Sequence, residues 1–309
     1  MTHHHHTSHQ PGHNRRTSNR HIGIAFFLNA SFTLIELIGG WLTNSTAIMA
    51  DAIHDMGDTL SIGLGWYLQN FSEKSADEKY SYGYRRFSLL GAVINAAVLI
   101  AGSILILFTA VPRLWAPEMP VVEGMLALAV LGVVVNGAAA LSISKGKSLN
   151  ERVLNLHIIE DVLGWIVVLL VSIVLWFYPL AILDPLLSIG FTFFILWSVV
   201  QTIRQALGVF LQSVPDRALL GRIKHSLMAL TPVANVHHLH LWSLDGEHHV
   251  LTAHLDLERN LEIDALIRLK CKVQAELAPY HLAHTTIEIE FPNENCRDAT
   301  PSTMPDTTP

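Results

Sequence analysis

Long apolar runs fill the first two-thirds of the chain, and alternating patterns fill the rest. The runs are Ile22–Leu42, Thr46–Asn70, Phe87–Val111, Val121–Ile143, Val153–Phe177 and Leu180–Ile203. Each approaches the ~20 residues an α-helix needs to cross a bilayer. After Arg204 the hydropathy falls. Pro215–Leu230 has helical period, and Val236–Leu244 and His248–Leu257 alternate like strands joined through Asp245-Gly246, a strong hairpin signal. Leu261–Leu277 is amphipathic, with Leu261, Ala265, Leu269 and Val273 on its apolar side, and His284–Phe291 alternates again. The pattern predicts an α-helical membrane protein with six transmembrane helices over residues 21–204, then an α+β domain of order αββαβ over 205–292. Residues 1–20 are His-rich and 293–309 are rich in Thr, Pro and Asp; both are expected to be disordered tails.

Composition agrees with that division. The chain has 309 residues, 50% hydrophobic and 15% charged, with mean hydropathy +0.37, as a polytopic membrane protein with a soluble part requires. A net charge of −6 gives no sign of nucleic-acid binding. Cys271 and Cys296 form no C-x-x-C pair, so neither thiolate zinc sites nor a disulfide framework is expected. No cleavable signal peptide is expected, because a polar stretch precedes the first span. Arg15, Arg16 and Arg20, the loop with Lys74, Lys79, Arg85 and Arg86, and the loop with Lys145, Lys147 and Arg152 all fall on one side, against only Arg113 on the other. The positive-inside rule puts both termini in the cytoplasm. The run His3–His6 is read as a native metal-collecting tail, with an expression tag as the alternative.

The second run carries the unusual chemistry. Asp51, His54, Asp55 and Asp58 share one helical stripe inside apolar sequence. An ionisable group at membrane depth costs at least ~2.5–3.5 kcal/mol, so four on one face need something to bind, and a divalent metal would satisfy them. In the fifth run His157 and Asp161 are one turn apart, with Glu160 at the edge of their face. Two His-x-x-x-Asp pairs on neighbouring helices offer two imidazoles and two carboxylates, which suits tetrahedral Zn²⁺. The set lacks the thiolate that soft Cu⁺ prefers and the all-oxygen shell that Mg²⁺ and Ca²⁺ prefer. Glu36 in the first run is read as facing a cavity, with a supporting place behind the metal site or a packing feature as alternatives. Asp184 receives no metal role. Asn95 and Asn136 are expected to hydrogen-bond between helices. A metalloprotease would need His-Glu-x-x-His or its like, which is missing, so an enzyme is not expected.

These motifs resemble the cation diffusion facilitator family in its bacterial zinc-exporting branch. Ala50-Asp51-Ala52-x-His54-x-x-x-Asp58 and His157-x-x-x-Asp161 are similar to its second- and fifth-span signatures. Tyr82-Gly83-Tyr84-x-Arg86 with Leu90-Gly91-Ala92-x-x-Asn95, His237-His238-Leu239-His240-Leu241-Trp242 and His284-Thr285-Thr286-Ile287-x-x-Glu290 resemble its loop, third span and cytoplasmic strands. The resemblance implies a homodimer in the cell inner membrane that exports Zn²⁺ in exchange for H⁺ by alternating access. It also implies a metallochaperone-like cytoplasmic domain with regulatory metal, for which His237, His254 and Glu290 are the first candidates and His240 and His284 the next. His254 is expected to be available on the polar face of its strand. The metal site some members place after the second span is expected to be missing, since 71–86 has no His; 144–152 also has none, and the N-terminal tail would take the collecting role. Asp51, Asp55 and Glu160 are accessory groups. The alternatives are the same transporter with Co²⁺, Cd²⁺, Ni²⁺ or Fe²⁺ as cargo, and a membrane-anchored metal sensor.

Overall fold

The computed structural model describes residues 12–143, 149–296 and 298, with the side chains of 12–22, 24, 25, 69, 70, 142, 143 and 149–158 outside that description. Six long helices come first: α1 (Gly12–Thr43), α2 (Thr46–Ser72), α3 (Phe87–Ala110), α4 (Val122–Ile143), α5 (Leu149–Phe177) and α6 (Leu183–Phe210). The αββαβ order follows, as α7 (Arg217–Met228), β1 (Val233–Ser243), β2 (His249–Leu257), α8 (Ile263–Leu277) and β3 (His284–Glu290). The chain divides into two units, the helical one ending at Ile203 and the second comprising the rest together with the loop Lys74–Arg86. That loop therefore separates from the membrane segment to which the sequence reading gave it.

Among the described residues five helices, α1, α3, α4, α5 and α6, are long and apolar enough to cross a membrane. The sixth, α2, has 27 residues and the necessary length. Asp51, Asp55 and Asp58 depress its hydropathy, so the helix with the candidate chemistry is less apolar than a plain span. Large apolar side chains such as Phe27, Trp41, Phe108, Phe177 and Trp197 lie on the outside, and the carboxyls of Glu36, Asp51, Asp55 and Asp184 lie inside. That inversion of the soluble pattern is what a lipid surround demands, and it marks a multi-pass membrane protein. One difference from expectation is that α1 is helical from Gly12, directly after Pro11, so 12–20 are not disordered. No breaker separates them from the first span, and extending an existing helix is far easier than nucleating one. Residues 1–11, with the His3–His6 run, lie outside the described residues.

Helix α2 is the shared wall of the helical unit. Its Ala47 and Ile48 pack with Phe32, Met125, Ala129, Trp165 and Val168 of α1, α4 and α5. Its Ala50 and Ile53 pack with Ala96, Leu99 and Ile106 of α3 and with Ile195 and Val199 of α6. At Gly132 of α4 a Cβ would land inside the Trp165 indole, so only glycine lets α5 come this close. Asp184, fully buried near the start of α6, anchors the start of α2: it accepts from Ser45 Oγ (2.6 Å), Thr46 N (2.7 Å), Thr46 Oγ1 (2.8 Å) and Ala47 N (3.2 Å). Each bond satisfies a donor that hydrocarbon would leave stranded. Asn95 donates across to Ser61 of α2 at 2.9 Å, as expected. Asn136 instead donates to Gly132 O within its own helix.

In the second unit β1 and β2 pair antiparallel, β3 joins β2 in parallel, and the sheet order is β1-β2-β3. Ile223 and Leu227 of α7 and Leu269, Val273 and Leu277 of α8 cover Val236, Leu241, Leu251 and Leu255 of the sheet. The hairpin turns through Asp245-Gly246, with Gly246 at φ +102°. Asp245 Oδ1 accepts from Glu247 N (2.9 Å) and His248 N (2.7 Å). Val236 and Leu241 are five residues apart and should face opposite ways, yet both are buried. A bulge between His237 and His240, with His238 at φ +44°, reconciles them by inserting one extra residue.

Candidate metal centres

In the helical unit His54, Asp58 and Asp161 converge from α2 and α5. His54 Nε2 lies 3.8 Å from Asp58 Oδ2 and 3.8 Å from Asp161 Oδ1, and one donor atom from each falls within 4.8 Å of the others. Donors about 2.1 Å from a tetrahedral Zn²⁺ stand ~3.4 Å apart, so the two contacts of His54 are within a few tenths of an ångström of ligand spacing. The i,i+4 spacing on α2 projects His54 and Asp58 together, and packing on Trp165, one turn beyond Asp161, brings α5 against them. The fourth predicted ligand, His157, is on α5 one turn before Asp161, but its side chain lies outside the described residues.

The accessory carboxyls divide. Asp51, His54, Glu160 and Asp161 line one cavity of about 40 Å³, walled by Phe191, Phe194 and Ile195 of α6. Glu160 is exposed and Asp51 is buried. Asp55 is also buried and turns to Glu36 of α1. Glu36 is 1% exposed, lines no wall of that cavity, and finds no hydrogen-bond donor for either oxygen among the described residues. Glu36 is therefore buried and off the wall of that cavity, which the sequence expectation had it facing.

The second cluster lies on the sheet. His237 of β1 is directly opposite His254 of β2, and β3 brings Glu290 to both. His254 Nδ1 is 2.7 Å from Glu290 Oε1, and His237 Nε2 is 3.3 Å from Glu290 Oε2. His254 is 7% exposed, contrary to the expected open polar face. Glu290 and the segment after β3 cover it, and that segment brings Cys296 Sγ to 3.5 Å from His254 Nδ1. One donor atom each from His237, His254, Glu290 and Cys296 falls within 4.8 Å of the others. The structure thus brings a cysteine beside the histidines, a neighbour that the absence of a C-x-x-C pair did not lead one to expect, and residues 293–296 are placed rather than disordered. No spacing in the sequence signals Cys296, because it has no partner cysteine and follows the last strand.

Electrostatics favour a charged Glu290. Burial pushes its carboxyl up, but hydrogen bonds from Cys296 and His254, with His237 beside it, outweigh that and hold it below its ordinary value. Burial, together with the hydrogen bond and charge of Glu290, raises the Cys296 thiol above its own. His240, one step along opposite Thr252, is exposed and outside the cluster. The bulge instead turns the His238 ring to within 5.1 Å of His254 and 5.2 Å of His237, a neighbour that strict alternation hides. His284 is also outside: it pairs with Val250, at the opposite end of β3 from Glu290, and its ring meets Tyr82 edge-on at 5.6 Å.

Two comparisons bear on these centres. Residues 22–211 match the cation efflux transmembrane domain, and residues 215–291 match the cation efflux protein cytoplasmic domain. The chain is similar to a cadmium, cobalt and zinc/H⁺–K⁺ antiporter of Bacillus subtilis, 30% identical over 92% of both chains. It is similar to the zinc transporter ZitB of Yersinia pestis, 30% identical over 89% of this chain and 88% of that one. It is similar to the metal cation efflux system protein CzcD of Cupriavidus metallidurans, 31% identical over 93% of this chain and 90% of the relative. With the two matched domains together spanning nearly all of residues 22–291, the chain belongs to the cation efflux family of membrane metal transporters, the cation diffusion facilitators.

Proposed function

We propose that the protein exports Zn²⁺ from the cytoplasm across the inner membrane in exchange for H⁺, through a site formed by His54, Asp58, His157 and Asp161. The observation that carries this is the convergence of His54, Asp58 and Asp161 from two helices. Metal binding needs neutral imidazole and ionised carboxylate, so metal and protons compete for the same lone pairs. Facing the cytoplasm, the site is deprotonated and takes up Zn²⁺; facing outward, protons displace it. Histidine, with an unperturbed pKa of ~6.5, is suited to that exchange near neutral pH. Asp51 and Glu160 steer the cation into the cavity, and Asp55 with Glu36 holds compensating charge behind it. Both termini are cytoplasmic.

The all-nitrogen and oxygen donor set also accepts Co²⁺ and Cd²⁺, metals that appear in the name of the Bacillus subtilis relative. Zinc is the primary cargo and these are secondary. The matched cytoplasmic domain supports a homodimer, with His237, His254 and Glu290 holding a regulatory metal. The test is zinc-driven proton flux in proteoliposomes. Wild type should show it; Asp161→Ala should abolish it while the protein folds and dimerises. Absence of flux in wild type would favour a sensor in which the helices only anchor the second unit, and unchanged flux in Asp161→Ala or His157→Ala would overturn the proposed transport site.

A further inference from the structure

The cytoplasmic centre has more donors than the three its strands supply. His237, His254 and Glu290 come from three adjacent strands and leave a tetrahedral metal with one open position. The chain fills that gap from outside the matched domain, which ends at residue 291. Past Phe291 it turns back, with Phe291 N donating to Glu294 Oε2 at 2.9 Å and Glu294 N donating to Phe291 O at 3.0 Å. The turn presents Cys296 to the buried His254. Asp298 follows, its Oδ2 3.6 Å from His254 Nε2.

The geometry points to Cys296 as the fourth ligand of this centre, so that a borderline-soft divalent ion such as Zn²⁺, Co²⁺ or Cd²⁺ pins the C-terminal segment to the sheet through its thiolate. The inference rests on reading His237, His254 and Glu290 as a metal centre. Two nitrogens, one oxygen and one sulfur make a closed tetrahedral set, which is the signature of a retained ion. The proposed transport site has no sulfur, so the two centres differ in kind: one releases its ion and the other holds it. Mg²⁺ and Ca²⁺ are excluded from the second by its nitrogen and sulfur donors. On binding, the thiol proton leaves to solvent and the sulfur–metal bond replaces it. Metal then orders the segment after β3, and its loss frees that segment.

Full-length protein in detergent, reduced and carrying Asp161→Ala to silence the transport site, is titrated with Co²⁺. A near-ultraviolet sulfur-to-cobalt charge-transfer band should appear, together with visible bands that Cys296→Ser retains and His254→Gln removes. Cys296→Ser should lose the charge-transfer band and weaken binding at the retained bands at least about tenfold, and Cys271→Ser should keep both. Zn²⁺ should slow alkylation of Cys296 but not of the exposed Cys271. A charge-transfer band absent from the parent, or surviving in Cys296→Ser, overturns the thiolate ligand. If visible bands sensitive to His254→Gln remain in that case, the His–Glu centre stands without it. If no His254-sensitive band exists at all, both readings fail.

Discussion

Asp184 offers the sharpest test of how the helical unit holds its chemistry. Its carboxylate accepts from Ser45 Oγ, Thr46 N, Thr46 Oγ1 and Ala47 N in a fully buried position. In Asp184→Ala all four donors lose their acceptor at once. A hydrogen bond to a charged group contributes ~1.5–3 kcal/mol, but bonds within one network do not add, so the expected loss is ~3–5 kcal/mol, well short of four such bonds summed. Asp184→Asn keeps one acceptor oxygen. Its amide can serve Ser45 with Ala47, or the two Thr46 donors, but not both pairs, and the loss should be ~1.5–3 kcal/mol. At roughly 2–4 °C per kcal/mol for a unit of this size, thermal unfolding followed by tryptophan fluorescence should fall by ~6–20 °C for Ala and by about half that for Asn. Zinc affinity at the membrane site should change little in either variant, since none of its ligands is touched. An Ala variant that unfolds at the wild-type temperature, or an Asn variant less stable than Ala, would refute the view that α6 anchors α2 through this carboxylate.

Three further outcomes are expected. Gly132→Ala drives a Cβ into Trp165, which should cost ~1–3 kcal/mol and, by moving α5 one turn from Asp161, reduce zinc flux in proteoliposomes. Gly83 has φ +75° and a Cβ there would stand 2.8 Å from Lys74 O, so Gly83→Ala should loosen the 74–86 loop, read out as faster backbone hydrogen exchange of Asp77–Tyr84. Asp245, pushed up by burial, is held below its ordinary value overall by hydrogen bonds from the backbone of His248 and Glu247 and from the His248 side chain. A depressed folded-state value stabilises the protein above the unfolded value near pH 3.8 and is lost as pH falls through the folded one. Asp245→Asn should therefore lower stability at neutral pH and flatten the acid limb of the unfolding curve.

The helical unit was largely legible because a bilayer leaves few options: apolar runs of spanning length, and carboxyls that need a reason to be there. His54, Asp58 and Asp161 could be named from spacing alone, since a helix brings i and i+4 together whatever else surrounds it. Asp184 could not be understood that way, because its donors lie nearly 140 residues earlier in the chain. The order αββαβ and the Asp-Gly turn were readable for the same reason as the helices, being local patterns. The bulge at His238 was not. Alternation assumes an unbroken pleat, and one extra residue moves a histidine from one environment to another. Thus His240 and His284, plausible by residue type, stand apart from the cluster, and His238 draws close. Cys296 was hidden for a different reason. It follows the last strand in polar sequence that reads as disordered, and only the return of the chain after Phe291 brings it to His254.

The claim on which the rest depends is that α2 and α5 jointly hold the transported ion. A structure determined with Zn²⁺ bound and data collected across the zinc absorption edge tests it most directly. The account predicts an anomalous peak bonded at ~2.0–2.2 Å to His54, Asp58, His157 and Asp161, absent when Asp161 is replaced by Ala. It would be contradicted by those four side chains turned from one another with no peak among them, or by a peak there that survives Asp161→Ala unchanged.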